Sequence, residues 1–276
     1  GKISGHSAGG ICGQDAGKDG TSLIIKYCSN TGGISGETDS SDNQRSAGGI
    51  CGRDAGNGCD EFLIQYCWNE GNMTGDGTGG ICGIYSGGGN GSHRIEYCYN
   101  SGDFEASYAG GICGRNARNM IIFNCYNTGN IGDGLDRCGG ITGNDTSSNT
   151  DTKIYNCYNA GSISSNATYC GGIIGGSYNR SIVKNCYWLG PDSAIVNVYG
   201  AGSIHNSSSN NLSSAVWSEW IAYNTIGTNT GADGFTALQW YDMPDTLNTL
   251  NMLNMNPWLI TDDVSEWGGT DFEDDQ

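Results

Sequence analysis

Two aspartates near the start of the chain could take part in hydrolysis of glycosidic bonds. Asp15 and Asp54 stand at the same place in two consecutive copies of a repeated sequence, so they could lie side by side. A pair of carboxylates can supply the acid and the base of glycoside hydrolysis. Both follow a Gly-Gly-Ile-Cys-Gly segment, however, in a stretch where aspartate is common in turns. We predict that they are turn residues and keep a catalytic pair as the alternative.

A serine lies in a sequence that matches the nucleophile motif of serine hydrolases. Residues 5–9 read Gly-His-Ser-Ala-Gly, which fits Gly-x-Ser-x-Gly. That motif needs a strand before the serine and a helix after it, and neither pattern is present. Residues 45–48, Arg-Ser-Ala-Gly, stand at the same place in the next copy, so Ser7 belongs to the repeat. We predict that the chain has no catalytic residue.

The 13 cysteines could form disulfides, bind zinc or fill a core. Each of six copies contains two, and where Thr142 and Ile174 replace the first, Cys138 and Cys170 appear four residues earlier. This exchange favours a bond within each copy, although reduced buried thiols and bonds between neighbouring copies stay open. Zinc is disfavoured because there is no Cys-x-x-Cys and only 3 histidines. We predict disulfides that fit an extracellular compartment, with Cys59 left as a buried or reactive free thiol. The predicted pairs are Cys12 with Cys28, Cys51 with Cys67, Cys82 with Cys98, Cys113 with Cys125, Cys138 with Cys157 and Cys170 with Cys186.

An aromatic residue follows the second cysteine in all copies but the first, where Ser29 stands. If the cysteine points inward, these rings point outward, and stacked rings could bind sugars or another protein. The alternative is that the rings stack on one another and stiffen the protein. The predicted surface row consists of Trp68, Tyr99, Tyr126, Tyr158 and Tyr187.

The elements that must position these side chains follow from the repeat. Gly-Gly-Ile occurs six times, at residues 9, 48, 79, 110, 139 and 171, with spacings of 39, 31, 31, 29 and 32 residues. A period near thirty indicates stacked repeats rather than a compact domain. Short apolar runs between Gly and Asn are typical of strands with tight corners, and the first 200 residues show no convincing helical period. We expect one coil per repeat, with two or three short strands each and coils about 4.8 Å apart.

Equivalent positions should then form columns along the stack. The predicted aliphatic columns are Ile25, Ile64, Ile95, Ile122, Ile154 and Val183, and Ile34, Met73, Phe104, Ile131 and Ile163. A column of asparagines, whose amides can bond from coil to coil, consists of Asn30, Asn69, Asn100, Asn127 and Asn159, with Trp188 in the sixth copy. A glycine column, which we expect to need positive φ, consists of Gly32, Gly71, Gly102, Gly129, Gly161 and Gly190.

Two segments of the repeat resemble the GLUG-motif family of bacterial surface proteins. They are Gly-Gly-Ile-x-Gly, as at residues 110–114, and Asn-Cys-Tyr-Asn-x-Gly-x-Ile, as at residues 124–131. The resemblance covers roughly residues 1–200, and six copies make it specific. It implies an all-β fold, a right-handed parallel β-helix. It also implies a place among adhesin-like proteins or the non-catalytic parts of bacterial IgA-specific metallopeptidases, but no particular ligand.

Composition narrows the class of function. The net charge of −17 argues against nucleic acid and anionic membrane surfaces, both of which attract basic proteins. No apolar run approaches the roughly 20 residues of a membrane-spanning helix. We therefore expect no cofactor, no metal ion, no nucleic acid partner and no membrane insertion, and we expect an extracellular or cell-surface location.

The two ends differ from the repeats. We assign residues 1–204 to the β-solenoid of about six coils and residues 205–276 to a mixed C-terminal cap or assembly segment. The second segment contains five of the 7 tryptophans and a predicted short helix before Pro257. Residues 1–5 match residues 32–36, so the chain opens in mid-coil. We expect that upstream repeats were removed, or that this edge receives another copy in a fibre.

Three functions are compatible with these features. The leading hypothesis is a non-enzymatic extracellular β-solenoid, an adhesin stalk or fibre subunit. Its candidate partners are copies of itself or neighbouring repeats at the open first coil, and glycans or host proteins. The second is a recognition module of a larger secreted enzyme of the IgA-peptidase kind. The third is a β-helical enzyme that cleaves polysaccharides.

Overall fold

The computed structural model describes residues 1–5, 7–36, 46–144, 152–155, 157–164 and 166–175, together with the backbone of strands at 182–184, 187–189 and 210–212. All of them lie in the first of two units, Gly1–Ser213. The predicted cap with its helix, the predicted boundary after residue 204, Cys186 and the Tyr187 side chain fall outside the described residues.

The described part of the chain is all β, with short strands and no helix. Its strands in chain order are β1 (Ile3–Gly5), β2 (Ser22–Lys26), β3 (Ser29–Asn30), β4 (Ile34–Gly36), β5 (Glu61–Gln65), β6 (Trp68–Asn69), β7 (Met73–Thr74), β8 (Ser92–Glu96), β9 (Tyr99–Asn100), β10 (Met120–Phe123), β11 (Tyr126–Asn127), β12 (Lys153–Tyr155), β13 (Tyr158–Asn159), β14 (Ile182–Lys184), β15 (Tyr187–Leu189) and β16 (Asn210–Leu212).

These strands form three sheets in which all pairing is parallel. The first sheet has the order β1-β4-β7, the second β14-β12-β10-β8-β5-β2, and the third β16-β15-β13-β11-β9-β6-β3. From β1 to β15, consecutive strands along the chain belong to different sheets, and neighbours within a sheet come from neighbouring repeats, while β16 pairs with β15 in the third sheet. This is the arrangement of a parallel β-helix, so the predicted all-β parallel class is confirmed. The handedness, the number of coils and the cap stay predictions.

The aliphatic columns set the register of the stack. Ile64 pairs with Ile25 on one side and Ile95 on the other, and Ile122 continues the column to Ile154. Ile64, Ile95, Ile122 and Ile154 are fully buried. β-branched side chains suit such columns because they pack well on a pleated surface, and burying each one stabilises the fold by about 1.5–3 kcal/mol. Both predicted columns are confirmed, the second by the pairing of Ile34, Met73, Phe104, Ile131 and Ile163.

The Gly-Gly-Ile segments are glycine-rich because backbone approaches backbone there. Gly79 pairs with Gly48 and Gly110 in the neighbouring coils. A Cβ on Gly79 would overlap the carbonyl oxygen of Cys82 and the amide nitrogen of Gly114. Glycine is therefore required by space at this position.

The expectation of positive φ along the predicted glycine column is wrong for its described members. None of Gly32, Gly71, Gly102, Gly129 and Gly161 has positive φ. They are glycines because a Cβ would collide with the previous coil: on Gly102 it would overlap the carbonyl oxygen of Gly71. Most of the described non-glycine residues with positive φ lie in three other columns. These are formed by Asp15, Asp54, Tyr85 and Asn116, by Tyr27, Tyr66, Tyr97 and Asn124, and by Tyr108, Arg137 and Tyr169.

Candidate functional site

The predicted asparagine column forms a continuous hydrogen-bonded ladder. Each Nδ2 donates to Oδ1 of the next asparagine at 2.7 Å, in four consecutive bonds from Asn30 to Asn159. The four asparagines from Asn69 to Asn159 are fully buried. In the third sheet Asn159 pairs with Trp188, so the ladder ends where the sequence pattern changes. The predicted bonding of amides from coil to coil is confirmed.

The cysteines form columns that run from coil to coil. Cys12, Cys51, Cys82 and Cys113 pair in succession, and Thr142 follows them. In a second column the N–H of Cys28 donates to Sγ of Cys67, and the N–H of Cys67 to Sγ of Cys98, both at 3.4 Å. The N–H of Cys138 makes the same bond to Sγ of Cys170 at 3.2 Å.

The predicted disulfides within coils are not found among the described residues, where every cysteine is a free thiol. The geometry gives the reason: the sulfurs contact backbone groups of their own strand and of the neighbouring coil. Sγ of Cys98, for example, donates to the carbonyl oxygen of Glu96 at 3.2 Å. Burial raises the pKa of the Cys82 and Cys98 thiols, which favours the protonated form over the nucleophilic thiolate. The columns therefore act as core side chains. The sixth predicted pair includes Cys186 and lies outside the described residues.

Cys59 is a buried free thiol with an exposed fraction of 1%. Its Sγ donates to the carbonyl oxygen of Glu61 at 3.2 Å, and burial raises its pKa. Of the two interpretations open at this position, the structure favours burial over a thiol that links subunits.

The aromatic side chains predicted to form a surface row are stacked on one another, and the last three described members, Tyr99, Tyr126 and Tyr158, are buried. The rings of Trp68 and Tyr99 are parallel with centroids 6.1 Å apart, followed by Tyr99–Tyr126 at 4.9 Å and Tyr126–Tyr158 at 5.0 Å. Tyr99, Tyr126 and Tyr158 are 7%, 1% and 2% exposed. Burial raises the pKa of Tyr126 and Tyr158, which keeps both phenols neutral. The row stiffens the stack and offers little surface to a ligand.

A second aromatic column was not recognised in the sequence. Tyr27, Tyr66 and Tyr97 precede the strand cysteines in left-handed conformation, with ring centroids 5.2 and 5.0 Å apart. Tyr27, 45% exposed, lies at one end. The regular Tyr-Cys sequence at these positions was a signal that could have revealed this column.

Asp15 and Asp54 lie in turns of adjacent coils, and the structure gives them structural partners. Their φ angles are 58° and 56°, and the N–H of Asp15 donates to the carbonyl oxygen of Arg53 at 3.0 Å. Asp54 accepts a hydrogen bond from Nε of Arg53 at 2.9 Å, while Asp15 contacts Nζ of Lys18 at 3.1 Å. Both carboxylates are thus engaged by cations on their own turns, which matches turn residues better than an acid–base pair.

Within the described ranges, no group of three or more His, Cys, Asp or Glu side chains is arranged to hold a metal ion. The same part of the chain contains no helix with the length and apolarity needed to span a bilayer.

Arginines stacked on tyrosines form a surface that the sequence did not reveal. The guanidinium carbons of Arg118 and Arg53 lie 4.3 and 5.5 Å from the ring centroid of Tyr85. Those of Arg115 and Arg137 lie 5.4 and 5.5 Å from the ring centroid of Tyr108. Distances below about 6 Å are typical of cation–π contacts. We name the arginine–tyrosine face by its members Arg53, Tyr85, Tyr108, Arg115, Arg118 and Arg137.

Comparison with known proteins gives one distant likeness. No protein-family model matches the chain, and no curated protein matches it. The chain is similar to a crystal structure from Bacteroides ovatus described as "a putative immunoglobulin A1 protease", with 22% identity and a TM-score of 0.46 over 79% of this chain and 75% of that chain. A likeness this distant carries no argument about activity, and the resemblance to the GLUG-motif family stays a prediction.

Proposed function

We propose that this chain is a non-enzymatic extracellular β-solenoid that serves as a structural and adhesive module. The observation that carries the proposal is the asparagine ladder, which joins five successive coils through buried bonds of 2.7 Å. A fully satisfied buried polar network rigidifies the structure around it. A rigid stack of this kind suits a module that holds a binding surface in place.

The first coil is the proposed point of contact with further coils. Strands β1, β2 and β3 lie at the ends of the three sheets, and Ile3, Ile11 and Ile24 are 36%, 47% and 50% exposed. A coil of the same register would cover these isoleucines and continue the parallel pairing. The coil can come from another copy of the chain or from neighbouring repeats.

Self-assembly can be tested by light scattering coupled to size-exclusion chromatography over a range of protein concentrations. We expect the mass to rise with concentration, and we expect Ile24→Lys to suppress the rise. The control Ser22→Lys places the same charge at an exposed position of the same strand. A mass that stays monomeric at all concentrations would count against assembly through copies of this chain.

Adhesion is tested separately, by attachment of the fluorescently labelled chain to whole cells and to an array of cell-surface glycans. Saturable attachment without release of shorter glycans supports the proposal. Turnover of a glycan that is abolished by Asp54→Asn would replace it with the polysaccharide-cleaving alternative.

A further inference from the structure

We propose that the arginine–tyrosine face is a binding site for a carboxylate-bearing polysaccharide, a polymer rich in uronic acids. The inference rests on the proposed adhesive function, because it names the class of ligand that an adhesive surface of this chain would hold.

The first argument is charge. On this face Arg53 is paired with Asp54 at 2.9 Å and Arg137 with Asp136 at 2.7 Å. Arg115 and Arg118 have no carboxylate within salt-bridge distance among the described residues, and Nε of Arg115 is buried without a hydrogen-bond partner. A bound carboxylate would give both guanidinium groups the charged partner that they lack, through charge-assisted hydrogen bonds.

The second argument is that the guanidinium groups are held in place before any ligand arrives. Arg53 and Arg118 contact the ring of Tyr85, and Arg115 and Arg137 contact the ring of Tyr108. Nη1 of Arg137 also donates to the hydroxyl of Tyr108 at 2.8 Å. Side chains that are already ordered lose less entropy on binding. A planar guanidinium also matches the geometry of a carboxylate, to which it can donate two parallel hydrogen bonds.

The third argument is the spacing of the arginines. The N–H of Asp54 donates to the carbonyl oxygen of Ile84, and the N–H of Tyr85 donates to the carbonyl oxygen of Arg115. Arg53, Tyr85 and Arg115 therefore belong to three successive coils. The N–H of Tyr108 donates to Asp136, which places Arg137 on the coil after that. Coils in such stacks are about 4.8 Å apart. Three of these four successive coils therefore carry a guanidinium group of the face, and one of them carries both Arg115 and Arg118.

A regular polymer fits this face better than a flexible acidic peptide or a nucleic acid. An acidic peptide would lose more conformational entropy when it is laid along the rod. A nucleic acid carries about one charge per 1.7 Å of duplex axis, which is denser than one carboxylate per sugar, so the negative net charge of the chain repels it more strongly than a polyuronate. Tyr169, 42% exposed and 5.4 Å from the guanidinium of Arg137, adds an apolar ring surface beside the arginines.

The test measures binding of the purified chain to polygalacturonate by biolayer interferometry, with fully methyl-esterified polygalacturonate and polyglutamate as comparison ligands. The key variant is Arg115→Gln/Arg118→Gln. Lys2→Gln/Lys26→Gln, at exposed positions, is the control with the same change of charge. We expect binding to polygalacturonate that weakens at least tenfold in the arginine variant, stays within twofold in the lysine control and is absent with the ester.

The outcomes separate this inference from the proposed function. Equal binding by the arginine variant, or equally tight binding to polyglutamate, overturns the inference even if the chain still attaches to cells. Attachment to neither cells nor any glycan would overturn both. If the arginine variant fails to fold, modification of the wild-type chain with phenylglyoxal replaces it. Protection of Arg115 and Arg118 by polygalacturonate supports the site, and unchanged modification rejects it.

Discussion

The side-chain amide of Asn69 donates a 2.7 Å hydrogen bond to Oδ1 of Asn100, its counterpart one coil away. Asn100 in turn donates to Asn127 at 2.7 Å and to the carbonyl oxygen of Gly102 at 2.8 Å, while its Oδ1 accepts from the N–H of Gly102 at 3.3 Å. Every hydrogen-bonding atom of this fully buried amide thus has a partner. The amide joins neighbouring coils and closes the local turn at the same time.

Replacing Asn100 by alanine should therefore destabilise the fold strongly. The change removes one of two hydrogen bonds from the amide nitrogen of Asn69 and one of two from Oδ1 of Asn127, and it removes the side-chain partner of the Gly102 N–H and carbonyl. Each buried group left unsatisfied costs about 1–3 kcal/mol. Urea denaturation followed by circular dichroism gives the free energy of unfolding. Asn90→Ala, at an exposed position, is the matched control and should change it by less than about 0.5 kcal/mol. Equal effects of the two substitutions would show that the ladder contributes little.

Gly102→Ala tests whether close approach of the coils is what requires glycine in the glycine column. A Cβ there would overlap the carbonyl oxygen of Gly71, so we expect a loss of about 1–3 kcal/mol, as in other overpacked sites. Gly13 has no atom within 4 Å of an added Cβ and no positive φ, so Gly13→Ala should be neutral or slightly stabilising. Both values come from thermal unfolding. A stable Gly102→Ala protein would mean that the coils can separate locally at little cost.

The columns could be predicted from the sequence because a fixed repeat forces equivalent residues into the same place on successive coils. Ile64 above Ile25, and Asn100 above Asn69, follow from alignment of the repeats alone. The columns do not depend on the path of the chain between strands, so the unequal spacing of the copies does not affect this prediction.

The surroundings of each column could not be predicted in the same way. Alternation along a strand suggested that Tyr126 faces outward, but not that its ring would be only 1% exposed. The sequence suggested that position 102 needs glycine for a positive φ, whereas the close approach of Gly71 is what requires it. A sequence does not report how near two coils come. The contact of Arg118 with Tyr85 joins different positions of two repeats, which alignment of equivalent residues cannot reveal.

Glu96 should make stability depend on pH. Its side chain is 6% exposed, and burial raises its pKa despite Arg94, whose Nη2 lies 3.7 Å from Oε1. A raised folded-state pKa means that the neutral form is favoured on folding. This contribution is complete below the unfolded pKa of about 4.3 and is lost as the pH rises through the folded pKa. Glu96→Gln should therefore unfold at higher urea concentration than wild type at pH 7, and the difference should shrink toward pH 4.

The control for this prediction is Glu61→Gln, at an exposed position of β5, which changes the net charge by the same amount. Midpoints of urea denaturation at a series of pH values measure the effect. If Glu96→Gln and Glu61→Gln change the midpoints equally across the series, the burial of Glu96 does not control stability.

The thiol columns make a prediction about reactivity that separates them from disulfides. Cys12 and Cys28 in the first coil are partly exposed, whereas Cys82 and Cys98 are fully buried. The hydrogen bond with Cys51 raises the pKa of Cys12, and burial raises the pKa of the other three thiols, so the two pairs differ in access. N-ethylmaleimide at neutral pH should therefore label Cys12 and Cys28 in the native protein at least tenfold faster than Cys82 and Cys98, because the reagent needs an accessible thiolate. Labelling in urea should reach all four, and mass mapping of peptides identifies the sites. A peptide joined through Cys82 and Cys98 without reductant, found in protein isolated from its own source, would restore the bond within the coil and contradict the free columns.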